Sequence, residues 1–369
     1  MKTLLSPSRV QTLLEVDDLT KCPGHALHLM VQEVASSVLS THPVERVDGP
    51  AIVQARHNYE LLGYPPGSIV QESTYTHWVD DAHILRTQTT SLVLEALLRH
   101  SQAPRPVVLL APGLVYRRDV RDRWHSPQPH QVDLWCLTPK KESTVEALVH
   151  QALRLVKTTT GLSEDKVQII PASHPYTEKG IEVSVRWQDR WLEVGEAGLI
   201  SPSLLGRLGI DSEHWGGLAM GWGLDRLVMA RKGLPDIRLL RDPLPAVAQQ
   251  MTNLEPWRPV SRQPAASREI SVVLDSGARE EDIAEKVLAS LDGTDADLVQ
   301  SIDVLGRWPV SSLGESARQR LGGREDQENV LLKIVWQSES HSLERRLVNA
   351  SMGRIYRHIH QGSAWDYCP

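Results

Sequence analysis

Residues 115–133 read VYRRDVRDRWHSPQPHQVD, with four arginines inside seven positions, two histidines and two prolines. Before them stand PVVLL (106–110), an unbroken apolar run of strand length, then Ala-Pro-Gly, then LVYRR (114–118) as the next strand. After them QVDLWCL (131–137) alternates with the period of two expected of an antiparallel partner. The charged segment is therefore the connection of an antiparallel pair, and it gathers positive charge at one end of a sheet. Arg117 and Asp119 are two apart, so on extended backbone their side chains face the same way. A guanidinium placed there can grip a phosphate oxygen in bidentate fashion, and a nearby acid can accept from a nucleobase amine or a ribose. A solvated loop of ion pairs is the competing reading, and spacing alone leaves both open.

Working outward, residues 25–39 (HALHLMVQEVASSVL) and 142–161 (ESTVEALVHQALRLVKTTTG) have the three-and-four spacing of amphipathic helices, the second ending at Gly161. TQTTSLVLEALLRHS (87–101) opens with threonines suited to capping a helix. VERVDGPAIV contains a short strand ending at Gly49-Pro50, and KVQIIP, IEVSVRW and RWLEVGEAG supply three more, with residues 188–190 as a hairpin turn. LAMGWGLDRLVMARKGLPDIR (218–238) runs from a glycine-rich strand into a helix stopped by Gly233 and Pro235. This order predicts an α+β fold, a mostly antiparallel sheet flanked by helices, over residues 1–253. Residues 254–267, rich in Pro, Ser and Ala, read as a linker. Beyond them a strand, helix, strand, strand, helix order over 268–369 suggests a small ferredoxin-like domain.

Gly217, Gly221 and Gly223 do not make a dinucleotide loop, because the surrounding pattern is not a parallel strand–helix–strand unit. They keep the strand surface flat, so that a planar ligand can approach the backbone. Arg226 then starts a helix beside that ligand, although by itself it reads equally as a helix-surface arginine. His125 and His130 lack a third ligand at metal spacing and read as polar loop residues.

The chain of 369 residues is 41% hydrophobic and 23% charged, ordinary values for a globular protein of two domains. Cys22, Cys136 and Cys368 form neither a disulfide framework nor a zinc spacing, which points to a reducing cytoplasm. Residues 268–369 hold 12 Lys and Arg against 17 Asp and Glu, a net of −5, leaving −1 of the total −6 to residues 1–267. Any RNA site must then be a local patch. One feature of the composition is far from expectation: there is no phenylalanine, where roughly a dozen would be ordinary.

Together these segments resemble the catalytic core of class II aminoacyl-tRNA synthetases, of the phenylalanyl-tRNA synthetase type. Gly49-Pro50 is similar to motif 1, residues 115–133 to motif 2, and residues 217–238 with their Pro-Asp-Ile-Arg tail to motif 3. LRTQTTS (85–91) is similar to the family's Leu-Arg-Thr-His-Thr-Ser-Pro, and GEAGLISPSLL (195–205) to its Gly-Gly-Ala-Gly segment. Residues 268–369 resemble a ferredoxin-fold anticodon-binding domain, as in the single-chain mitochondrial form. The resemblance implies ATP and Mg2+ as cofactors, with an amino acid and a tRNA as substrates, in a monomer or homodimer. It assigns catalysis to Arg117 and Arg226, and ATP binding to these with Asp119, His125 and Pro129. Gln88, Thr90, Gln131, Asp133, His174, Tyr176, Ala219 and Gly221 would bind the amino acid. Glu178 and Glu193 are the metal candidates. Arg118, Arg121 and Arg123 would meet the tRNA acceptor end, and Arg346, Arg354 and Arg357 the tRNA on the late helix.

Several positions depart from the family pattern. Pro129 stands where an aromatic ring stacks on adenine, Gln88 replaces a histidine, and Asp133 replaces a glutamate. The Phe-Pro-Phe clamp on the substrate ring is His174-Pro175-Tyr176. Wholesale avoidance of phenylalanine explains such changes, and so does an altered substrate preference. A tRNA-independent activator feeding a carrier, and a non-catalytic regulator, are the alternative functions.

Overall fold

The computed structural model describes residues 3–38, 42–65, 67–68, 75–118, 121–260, 264–338 and 342–365. Asp119, assigned above to ATP binding, and Cys368 lie outside the described residues. The chain divides into two compact units, one made of residues 1–118 and 127–257, the other of 119–126 and 258–369.

In chain order the strands of the first unit are β1 (Val44–Arg46), β2 (Ile52–Gln54), β3 (His83–Leu85), β4 (Val107–Leu114), β5 (His130–Pro139), β6 (Val167–Pro171), β7 (Thr177–Trp187), β8 (Arg190–Ile200) and β9 (Trp215–Gly223). Seven of them form one sheet in the order β1-β4-β5-β9-β8-β7-β6. Only the β1–β4 pair is parallel. The β7–β8 connection is two residues long, and Gln188 takes the positive φ of 50° such a turn demands. The helices Ala26–Ser36, Val145–Thr160 and Leu224–Lys232 pack on one another and against one sheet face. The helix Thr90–His100 covers the other face, where Leu92, Leu97, Leu109, Trp135 and Ala219 share a core. The α+β architecture read from the sequence is the one observed.

One expected break is absent. Ala111-Pro112-Gly113 does not divide two strands; β4 runs straight through to Leu114, and residues 115–118 are not strand. The reason lies in hydrogen-bond direction. The Val108 N–H donates to Pro43 and the Leu110 carbonyl accepts from Val47, so residue 112 points toward the same edge. There β1 has already ended at its Leu110 partner, and a missing N–H costs no ladder bond.

The second unit contains β10 (Ala266–Asp275), β11 (Val299–Pro309) and β12 (Gln327–Trp336). β12 lies between the other two and is antiparallel to both. The helices Glu280–Ala289 and Arg345–Ile359 cover the sheet, with Val272, Ile283, Leu332, Met352 and Ile355 in the core between them. Strand β10 starts at Ala266, two residues inside the segment expected to be linker. At the start of that segment, the buried Lys232 ammonium donates to the carbonyls of Asn253 and Glu255, so residues 253–255 belong with the helix Leu224–Lys232 of the first unit. Among the described residues no helix is long and apolar enough to cross a membrane.

Candidate active site

Register brings the two motif arginines to one end of the sheet. Leu114 pairs with His130, and Gln131 with Gly223, so β4 ends, β5 begins and β9 ends side by side. Arg117 follows β4 by three residues and Arg226 follows β9 by three, one on each side of the start of β5. The Arg117 Nε donates to the Thr87 carbonyl at 3.0 Å. Arg226, in the first turn of its helix, donates through Nη1 to the Glu193 carbonyl at 3.1 Å and meets its Oε2 at 3.3 Å.

Farther along the sheet from these strand ends lies a row of residues paired across three strands: Asp133 on β5, Gly221 on β9 and Glu196 on β8. Residues directly opposite in a ladder share a face, so all three side-chain positions look the same way. A Cβ on Gly221 would meet nothing nearer than Asp133 Oδ1 at 4.0 Å, which leaves a slot above its backbone. Next to that slot Tyr176 stacks on Trp135 at 5.9 Å between ring centroids and on His174 at 5.4 Å, and Tyr64 approaches at 6.4 Å. Burial pushes the Tyr64 phenol up to about 12, so it stays neutral. Ala219, two residues from Gly221, joins the core below this aromatic wall.

Asp133 is almost fully committed within the protein. Its Oδ1 accepts from Thr90 Oγ1 at 2.8 Å and Trp135 Nε1 at 2.8 Å, and its Oδ2 accepts from Thr89 Oγ1 at 2.6 Å. Burial raises its pKa above the ordinary carboxylate value, against these three bonds and the Arg117 charge, which lower it. The threonines expected to cap the helix 90–100 serve this carboxylate instead, and no side-chain cap bond forms there. With three of about four acceptor positions occupied, Asp133 offers a ligand one lone pair at most. Gln88 is likewise engaged, its Nε2 donating to the Asn58 carbonyl at 3.0 Å.

His174 Nε2 lies 2.8 Å from Glu196 Oε2, although the N–H is not aligned on that oxygen. Contact with Glu196 raises the imidazole pKa above the ordinary histidine value, outweighing burial, which lowers it.

Other expectations are corrected. Glu178 pairs with Leu199 and Glu193 with Ser184, so six residues of β8 separate them, about 20 Å at 3.3 Å per residue. They cannot share one ion. Glu193 stays beside Arg226, and across the β7–β8 pair Glu182 lies opposite Glu196. No cluster of three or more metal-ligating side chains occurs among the described residues. His130 is a buried strand residue, not a loop one: its Nδ1 donates to Asp225 Oδ1 at 2.8 Å and its Nε2 accepts from Leu19 N–H and Arg241 Nη2. His125 is held by Asp122 at 3.0 Å, Pro129 accepts from Val115 N–H, and Arg118 is exposed. Within the second unit, Arg121 faces Asp297 at 3.8 Å and the Arg123 N–H donates to Gln300. On the late helix Arg346 and Arg357 are exposed, but Arg354 is bound by Asp295 and lies 3.8 Å from Asp292. The expected basic face therefore loses its middle member.

Arg86 is the residue that sequence reading passed over. Buried at the centre of the site's support, it donates to the Leu114, Gly49 and Pro50 carbonyls and so ties the Gly49-Pro50 turn to the end of β4. Its guanidinium occupies the space where a Gly113 Cβ would stand. An arginine among apolar strands was the available signal.

The site therefore consists of an antiparallel sheet, a glycine-floored slot, and an arginine just past the end of each of the two strands that flank β5. Residues 10–251 match the family of tRNA synthetases class II core domain (F), and the chain belongs to that family. Among curated relatives, the phenylalanine--tRNA ligase alpha subunit of Prochlorococcus marinus (strain MIT 9312) is 36% identical over 190 residues, covering 52% of this chain and 53% of its own. That of Laribacter hongkongensis (strain HLHK9) is 33% identical over 216 residues, covering 58% and 64%. The chain thus spans about half the length of the curated relatives it matches. Pyrrolysyl-tRNA synthetase from Desulfitobacterium hafniense is a similar solved structure, with a TM-score of 0.48 and 18% identity over 64% of this chain and 80% of that one.

Proposed function

We propose that the chain is an ATP-dependent aminoacyl-tRNA ligase of the phenylalanyl type, which activates an aromatic amino acid as its adenylate and passes the acyl group to tRNA. The observation that carries this reading is that Arg117 and Arg226 follow the ends of β4 and β9, one on each side of the start of β5, with the slot over Gly221 farther along the same strands. The amino-acid carboxylate oxygen attacks the α-phosphorus of ATP and pyrophosphate leaves. Arg117, beside the aromatic wall, neutralises charge growing on the α-phosphate, and Arg226 grips the nucleotide from the far side. Fixed cations cost no reorganisation when the charge develops, which makes positioning most of the catalysis. Glu193 is the carboxylate that suits a Mg2+, which would neutralise phosphate charge; such an ion needs only one or two protein carboxylates beside its phosphate and water ligands.

Residues 268–369 are read as the anticodon-binding module of this enzyme, of ferredoxin-like type, meeting tRNA through Arg346 and Arg357. The β12 strand inserted between β10 and β11 supports that reading. The protein would work in the cytoplasm, its free Cys22 and Cys136 suiting a reducing compartment. The test is amino-acid-dependent ATP–pyrophosphate exchange with the full chain, across the standard amino acids and ring-substituted phenylalanines. Exchange with aromatic substrates is expected, and its absence with every amino acid overturns the proposal.

A further inference from the structure

Glu196 is the charge that an apolar aromatic pocket has no use for. It sits beside Gly221 on the neighbouring strand, about 4.8 Å away across the ladder, so a ring resting over Gly221 has this carboxylate at its edge. Its partner His174 belongs to the same wall as Tyr176 and Trp135. Avoidance of phenylalanine accounts for a histidine or tyrosine in that wall. It does not account for a carboxylate at position 196, where the similar Gly-Gly-Ala-Gly segment has glycine. The two departures meet: the new acid and the new imidazole are 2.8 Å apart.

We propose that His174 and Glu196 are specificity-determining residues, and that the substrate is an aromatic α-amino acid whose ring carries a hydrogen-bond donor, a hydroxyl or an amino group. This rests on the adenylate-forming reading above. The donor of the ring bonds to Glu196. That oxygen pair has capacity to spare, since its histidine contact is unaligned and its side chain is 39% exposed. His174, 2.8 Å from that carboxylate, holds it at the edge of the slot. An unsubstituted ring in the same place strips water from Glu196 and returns nothing, which is how a polar site rejects an apolar analogue. Burial first, then Tyr64, Asp133 and Glu196, hold the Tyr176 phenol well above the ordinary range, so this wall presents a neutral hydroxyl.

The experiment is pyrophosphate exchange by the full chain with phenylalanine, tyrosine, meta-tyrosine, para-aminophenylalanine and O-methyltyrosine, the last matching the size of a substituted ring without its donor. Parent protein is compared with Glu196→Gln, Glu196→Gly and the double change His174→Phe with Glu196→Gly. Expected is a kcat/KM at least tenfold higher for one donor-bearing ring than for phenylalanine and O-methyltyrosine, with that ratio falling tenfold or more in every variant. Glu196→Gln keeps the shape of the side chain, so the comparison survives if the glycine variants fold poorly. Phenylalanine as the best parent substrate, or a donor preference that persists in Glu196→Gln and Glu196→Gly, overturns the inference while leaving adenylate formation standing. Exchange with no amino acid at all overturns both.

Discussion

Two histidine–carboxylate pairs in this protein have the same 2.8 Å contact and opposite characters. His130 and Asp225 are 1% and 7% exposed, whereas His174 and Glu196 are 22% and 39% exposed. At the first, both carboxylate oxygens and both ring nitrogens are engaged: Asp225 also takes the His130 backbone N–H, and the far ring nitrogen accepts from Leu19 and Arg241. At the second, a single unaligned contact leaves capacity on both partners. Distance alone therefore says little about what a charged pair is for. Saturation and burial mark a structural joint, and spare capacity beside a slot marks a place for a ligand.

The largest way to break this contrast is Asp225→Ala. Removing one member of a buried, fully bonded pair strands the other, at a cost of about 3–5 kcal/mol. Equilibrium urea unfolding is expected to show that loss, and a change below about 1 kcal/mol would contradict the joint. Arg117→Ala should cost nearly as much, but in activity. It removes one fixed charge from the transition state, on the order of 10²- to 10³-fold in kcat for exchange, with stability little changed. Activity within threefold of the parent would remove Arg117 from catalysis.

A third histidine sharpens the comparison, because it is buried with no carboxylate. His77 is held down to about 4 by burial and by the charges of Arg118 and Arg9. Its folded pKa lies below the unfolded value of about 6.5, so the unfolded chain takes up a proton first. Stability should then fall as pH drops from about 6.5 through about 4, by on the order of 3 kcal/mol. Burial shifts His25 and His360 the same way, so unfolding of His77→Leu between pH 7 and pH 4.5 should show a reduced slope, not a flat one. An unchanged slope would refute the assignment. The smallest effect belongs to the open pair: Glu196→Gln should shift unfolding by no more than about 1 kcal/mol, the range of exposed ion pairs. A loss near that of Asp225→Ala would make it a structural joint as well.

Local periodicity made much of the catalytic sheet legible, because an alternating strand such as 131–137 and a capped helix such as 145–160 carry their pattern within a few residues. What escaped was set by partners distant in sequence. Pro112 stays in β4 only because β1 stops short, which no window around residue 112 reveals. Thr89 and Thr90 serve Asp133, 44 and 43 residues away, instead of their own helix. Arg354 looked free on a basic face until Asp295, 59 residues earlier, took it. Glu178 and Glu193 matched in residue type, but the β7–β8 hairpin carries them to different levels of the sheet. Glu196 could have been noticed as a charge in an otherwise glycine-and-alanine segment, yet its meaning came only with His174 beside it.

The His130 joint also bears on the order in which the chain folds. One imidazole gathers contacts from Leu19 and Arg241, each 111 residues away, and from Asp225, 95 residues away. Closing loops of that length before the intervening strands have paired costs entropy with no compensating contact. Loop-closure entropy therefore predicts that the joint closes after β4, β5 and β9 have aligned, and the same alignment sets Arg117 and Arg226 on either side of the start of β5. A folding intermediate in which His130 is still open is for that reason one in which the two arginines are not yet in place.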